Sequence, residues 1–154
     1  MPYLFLKCIH VISSTVLFGT GVGSAFYMLR ANLSKDVPSI YFASRNVVLA
    51  DWLFTTPAVI IQPLTGFLMM REAGYSMTDA WILWSLALYA LAGAAWLPVV
   101  CIQVRMREMA REAYEALTPL PRAYWRLAFA WVALGCVAFP ALVAVFLLMV
   151  FKPS

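Results

Sequence analysis

Charged residues are scarce in this sequence. Only 12% of its 154 residues are Asp, Glu, Lys or Arg, about half the share of an ordinary soluble domain. A disordered chain is excluded, because such chains are rich in charge and poor in hydrophobics. Cysteine is scarce as well. Cys8, Cys101 and Cys136 all lie inside apolar runs, so the sequence has no disulfide framework. Histidine occurs once, at position 10. A structural zinc site needs more ligands than His10 can gather, since no second histidine exists and Cys8 is not on its helical face. No Ser-His-Asp order or metal-binding motif stands out, which disfavours hydrolytic chemistry of the soluble kind.

What remains is overwhelmingly apolar. Hydrophobic residues make up 64% of the chain, and mean hydropathy is +0.85. Residues 8–29, 52–70, 80–104 and 127–151 contain no charge at all. A helix needs about 20 apolar residues to cross the hydrocarbon core. The pattern therefore predicts an all-α membrane protein, a bundle of four transmembrane helices over about 3–29, 47–70, 80–112 and 125–151. Residues 1–154 form one domain, with no room for a soluble one. Barrel strands are excluded, because they would alternate polar and apolar residues in segments of about ten. The first span is read as a retained helix. Its apolar run is long for a signal peptide, although Lys7 and Gly23-Ser24-Ala25 resemble the charged start and cleavage site of one.

The basic residues set the expected orientation. Arg30, Lys35 and Arg45 lie in the first connection, and Arg105, Arg107, Arg111, Arg122 and Arg126 in the third. The second connection has Arg71, and the ends have Lys7 and Lys152. Connections one and three are expected to face the cytoplasm. Both termini then face outward, periplasmic if the membrane is a bacterial inner membrane. The net charge of +4 follows from this asymmetry, so nucleic-acid binding is not expected. Residues 105–117 read as a cytoplasmic extension of helix three. On it, Arg105, Glu108 and Glu112, and Arg111 and Glu115, are spaced to pair. Thr118-Pro119-Leu120-Pro121 stops that helix. Trp81, Trp84, Tyr124 and Trp125 fall where interfacial aromatic belts belong.

Chemistry inside a membrane falls to the few polar residues there, which are costly and face the bundle interior. Three helices carry a polar stripe. Tyr3, Lys7, His10, Ser14, Leu17 and Gly21 share a face of helix one. Asp51, Thr55, Ala58, Gln62 and Thr65 do so on helix two, and Ser85, Tyr89, Ala92, Trp96, Val99 and Gln103 on helix three. Depth counting places His10, Ser14, Gln62 and Tyr89 in one outward-facing pocket, with Lys7 at its mouth. Asp51 needs a cationic partner, and Arg30 is the expected one, as a structural ion pair across a short connection. Gly19 and Gly23 form a small-xxx-small pair suited to close helix packing. Pro57, Pro63, Pro98 and Pro140 are expected to kink their helices and free backbone carbonyls.

The run Tyr3-Leu4-Phe5-Leu6-Lys7-Cys8-Ile9-His10, then Phe18-Gly19, Phe26-Tyr27 and Arg30, resembles the first helix of the HemJ-type membrane protoporphyrinogen oxidases. Pro57, Thr65-Gly66 and the ending Phe151-Lys152-Pro153 are similar too. The nearer resemblance is to an uncharacterised bacterial family of four-helix integral membrane proteins. That family opens with Lys-x-x-His, Phe-Gly-Thr-Gly and a Phe-x-x-x-Arg-like ending, as Lys7 to Arg30 do here. The HemJ resemblance implies haem-linked redox chemistry, with Lys7, His10 and Arg30 as the residues carried over. It departs at Gly93-Ala94-Ala95-Trp96-Leu97-Pro98, where HemJ-type proteins carry histidines and this chain has none.

Three functions are compatible with these residues. One is a redox-linked protein binding haem b or a porphyrin, with His10 as axial ligand or acid/base, Lys7, Ser14, Gln62 and Tyr89 around it, and quinone as electron acceptor. The second is a non-catalytic membrane subunit or a homo-oligomer. The third is a small transporter whose flux depends on Asp51.

Overall fold

The computed structural model describes residues 2–153. Its elements are α1 (Pro2–Ser34), α2 (Val37–Ala50), a π-helical turn (Asp51–Thr55), α3 (Thr56–Glu72), α4 (Ala80–Ala116) and α5 (Arg122–Phe151). The segment α2–π–α3 runs as one helix over Val37–Glu72, so four helices are long and apolar enough to cross a membrane. Each carries a lipid-suited exterior. Leu4, Phe26, Trp52, Ile60, Leu97, Phe129 and Val150 are among the large hydrophobics left exposed. In water such a surface would aggregate; in a bilayer it meets a solvent of its own kind.

The chain folds as two helical hairpins laid together. α1 packs on α2, the π turn and α3, and α4 packs along α5. α2 joins the two hairpins by packing on α4. The second spanning helix begins at Val37 rather than near 47. Asp36 caps it by accepting from the backbone N–H of Ser39 at 2.9 Å, and a proline occupies the first turn, where its missing N–H costs nothing. α4 ends at Ala116, with Leu117 in the left-handed region (φ 54°). Pro121 is the N-cap of α5.

The end of the bundle that carries the α1–α2 and α4–α5 connections holds the hydrophobic core cluster. Met28, Ile40, Met106, Ala110 and Tyr124 are nearly or wholly buried there. Tyr124 belongs to this core and not to an interfacial belt: its hydroxyl donates to Asn32 Oδ1 at 2.6 Å, tying α5 to α1. On the extension of α4, Glu108 pairs with Arg107 and Arg111. At the other end, Lys152 donates to the Tyr75 hydroxyl at 2.8 Å and lies over the rings of Tyr75 and Trp81.

Candidate functional site

The stripes read from the sequence on helices two and three face inward. Asp51, Thr55, Ala58, Gln62 and Thr65 are all buried. So are Ser85, Ala92, Val99 and Gln103. The polar residues separate into two groups at different heights along the second spanning helix, both meeting α1.

The first site joins α1 to α3. His10 Nδ1 lies 2.8 Å from Thr65 Oγ1. Thr65 has one hydroxyl proton, and its oxygen also stands 2.7 Å from the Ile61 carbonyl. Both contacts are satisfied only if that proton goes to Ile61 and Nδ1–H donates to Thr65. His10 is then the Nδ1–H tautomer, and its Nε2 accepts no hydrogen bond among the described residues. Gln62 spends its amide protons on the His10 carbonyl (2.8 Å) and on Ser13 Oγ (2.7 Å). Gly66 faces the imidazole, and a β-carbon there would make an ordinary contact of 3.4 Å with His10 Cε1.

The expected outer pocket therefore forms only in part. His10 and Gln62 meet, and Ser13 and Thr65 complete the cluster. Ser14 turns back to the Val11 carbonyl on its own helix. Lys7 is exposed and joins no hydrogen bond or ion pair among the described residues. Tyr89 belongs elsewhere, for a reason rooted in Pro63. A proline cannot donate to the carbonyl four residues back, which here is that of Val59. The Tyr89 hydroxyl donates to Val59 O at 2.7 Å.

The second site is a cavity of about 520 Å³ between the helices. Leu17, Gly21 and Ser24 of α1 line it, with Asp51 and Thr55 of the π turn. Tyr89, Gly93, Trp96 and Gln103 of α4 close one wall, and Trp131, Cys136 and Phe139 of α5 another. Phe26 and Val132 line the cavity and are also exposed, so it reaches the lipid-facing surface between α1 and α5. The π turn shapes this wall. Pro57 has no N–H to give to Leu53, and the helix widens one turn earlier, so that Thr56 N–H reaches back five residues to Asp51 O.

Asp51 is part of the cavity lining. Its Oδ1 accepts from the Thr55 hydroxyl at 2.8 Å. The other oxygen, Oδ2, is buried and has no partner, and the Trp96 indole N–H is in the same condition. The expected ion pair with Arg30 does not form: no salt bridge reaches Asp51 among the described residues, and Arg30 is exposed. Arg105 and Arg126 are exposed too. A guanidinium at a helix end gains more from headgroups and water than from a dry carboxyl. Sequence reasoning missed the pairing of Asp51 and Trp96 in one cavity. Pro57 and Pro63 were its only signals.

A haem in this cavity would find no imidazole, because His10 is not part of its lining. Among the described residues no cluster of three or more His, Cys, Asp or Glu is placed to hold a metal ion.

No curated protein and no solved structure matches the chain, so the resemblance to HemJ-type oxidases rests on the quoted residues alone. One family model matches residues 4–153, that of a predicted integral membrane protein family, DUF2269. Helices of spanning length with an apolar exterior agree with that description, and the chain belongs to the DUF2269 family of integral membrane proteins.

Proposed function

We propose that this protein binds a small molecule within its helix bundle. One observation carries the reading: a cavity of about 520 Å³ is lined by Asp51 and Trp96, each of which has a buried polar atom without a hydrogen-bond partner. Buried polar groups are paired almost without exception, and an ionisable residue within a membrane marks a functional site by default. The cavity volume of about 520 Å³ falls in the range of small-molecule sites. In this reading the protein lies in a bacterial inner membrane. Its basic end faces the cytoplasm and its termini face out.

Gly93 provides the test. It lines the cavity, and a β-carbon there meets nothing within 4 Å, so Gly93→Leu fills the space without a clash at its first atom. Protein purified in mild detergent is extracted with organic solvent, and the extract is analysed by mass spectrometry. A small molecule is expected with the wild type and not with Gly93→Leu. Identical extracts from both would overturn the reading.

A second reading retains haem b, favoured by the unbonded Nε2 of His10. That nitrogen is the one an iron would take, and Thr65 fixes the ring from the other side. The protein supplies one axial ligand per copy, so a bis-histidine haem would need two copies. Haem would supply one-electron chemistry, with quinone as the acceptor. A Soret band that shifts on dithionite reduction and vanishes in His10→Ala supports this reading. A flat spectrum after expression with ample haem sinks it.

A further inference from the structure

The cavity's polar groups are placed so as to select its occupant. Asp51 is 6% exposed and lines the cavity, yet nothing bonds its Oδ2. No Lys, Arg or His is among the lining residues, so the carboxyl has no counter-charge of its own. The cavity it lines has aromatic walls: Phe26, Tyr89, Trp96, Trp131 and Phe139 all contribute. Ring faces attract cations, most strongly where water is excluded. A buried carboxyl amid aromatic rings is what a cation with an apolar body requires. Within membranes, ligands are a recognised source of the partner that such a carboxyl lacks.

We infer that the ligand is a lipophilic cation, with its positive centre toward the Asp51 carboxyl and its apolar body against the aromatic walls. This rests on the cavity reading above and names the ligand class for it. Trp96 adds a second requirement. Its free N–H calls for an acceptor, so the natural ligand carries an oxygen such as a carbonyl or hydroxyl. Trp96 stands seven residues, roughly 10 Å along α4, before Gln103, which lines the cavity as well. The route in is the opening between α1 and α5, where exposed Phe26 and Val132 border the cavity. A molecule dissolved in the lipid enters without crossing water.

The test uses two probes of one shape, tetraphenylphosphonium and uncharged tetraphenylsilane. Binding to the folded state raises the melting temperature of the detergent-solubilised protein. Tetraphenylphosphonium is expected to raise it for the wild type and not for Gly93→Leu. In Asp51→Asn its apparent affinity should fall at least about tenfold, as for a desolvated charge that loses its partner. Tetraphenylsilane should have the same small effect on the wild type and Asp51→Asn. Equal shifts from both probes, unchanged in Asp51→Asn, would overturn the cation and leave the cavity reading standing. No shift from either probe beyond that of Gly93→Leu would overturn both. Should Asp51→Asn fail to fold, the two probes compared on the wild type still decide.

Discussion

The Tyr89 hydroxyl donates to the carbonyl of Val59, the carbonyl that Pro63 strips of its helical partner. A residue on α4 thus repairs a defect on α3, and the repair fixes how the two helices face each other. In Tyr89→Phe that carbonyl is unpaired inside the membrane. The variant is expected to lose about 0.5–1.5 kcal/mol, the scale of an interhelical hydrogen bond there. Pro63→Ala restores an N–H for Val59, so the double variant should lose less than Tyr89→Phe alone. Unfolding in mixed micelles of a mild and a denaturing detergent measures all three. Equal losses in the single and double variants would refute the repair.

Two adjacent serines make a second test. Ser13 receives a hydrogen bond from Gln62 across the helix interface, while Ser14 bonds only within α1. Ser13→Ala should destabilise by about 0.5–1 kcal/mol, and Ser14→Ala should stay within about 0.5 kcal/mol of the wild type. Gln62→Leu, which removes the bonds to both Ser13 and the His10 carbonyl, should cost more than either. The reverse order of the two serines in the same unfolding assay would show that α1 is rotated.

The glycines of α1 are not equivalent. A β-carbon on Gly21 would stand 3.1 Å from the Phe139 ring, whereas one on Gly19 or Gly23 meets nothing within 4 Å. Gly21→Ala is expected to push Phe139 aside and lower the melting temperature. Gly23→Ala should leave it unchanged or raise it slightly, since alanine is the better helix former. A Gly21→Ala protein as stable as the wild type would mean that α1 and α5 are spaced more widely.

Acid should loosen the start of α2. The Ser39 hydroxyl and backbone N–H both donate to the Asp36 carboxylate and hold its pKa below the ordinary value. A carboxyl depressed in the folded state adds stability that is complete above its unfolded pKa, about 3.9. That stability is lost as the pH falls through the lower folded value. Asp36→Asn should therefore reduce the dependence of melting temperature on pH below about 4 and leave the profile near neutrality parallel to that of the wild type. Parallel profiles throughout the acid range would remove Asp36 from the account.

The orientation is open to a simple check. Eight of the eleven basic residues lie in or near the first and third connections, most of them on the helix ends that flank these, which predicts that the C-terminus is outside. Alkaline phosphatase fused after Lys152 should be active, and a green fluorescent protein fused there should be dark. The opposite pair of results would invert the topology.

Much of this was legible in the sequence, and the remainder was hidden for physical reasons. Charge-free runs give spanning helices because the hydrocarbon core tolerates little else. Stripes at helical spacing give the inward faces, and Asp51, Thr55, Gln62 and Thr65 follow the rule. A stripe says which face is buried but not which neighbour covers it. Tyr89 meets Val59 rather than His10 because a proline created an acceptor there. Ser13 replaces Ser14 because positions three and four residues after His10 both border its face, and Gln62 reaches the first of them. Asp51 lacks Arg30 because short sequence separation does not make an arginine leave the headgroups. Helix two begins early because Asp36 caps it there, ahead of the charged Arg45 that precedes the charge-free run.

The widened turn at Asp51–Thr55 holds one residue more than an α-helix would use. Asp51 and Thr55 face the cavity, while Gln62 and Thr65, farther along the same helix, grip His10 and Ser13. The spare residue sets the angle between those two commitments. Deleting any one residue from 51–55 would leave a smooth helix, well hydrogen-bonded along its length, and would swing Gln62 and Thr65 about 100° around its axis. The protein is thus least able to spare a residue at the place where its helix is wound most loosely.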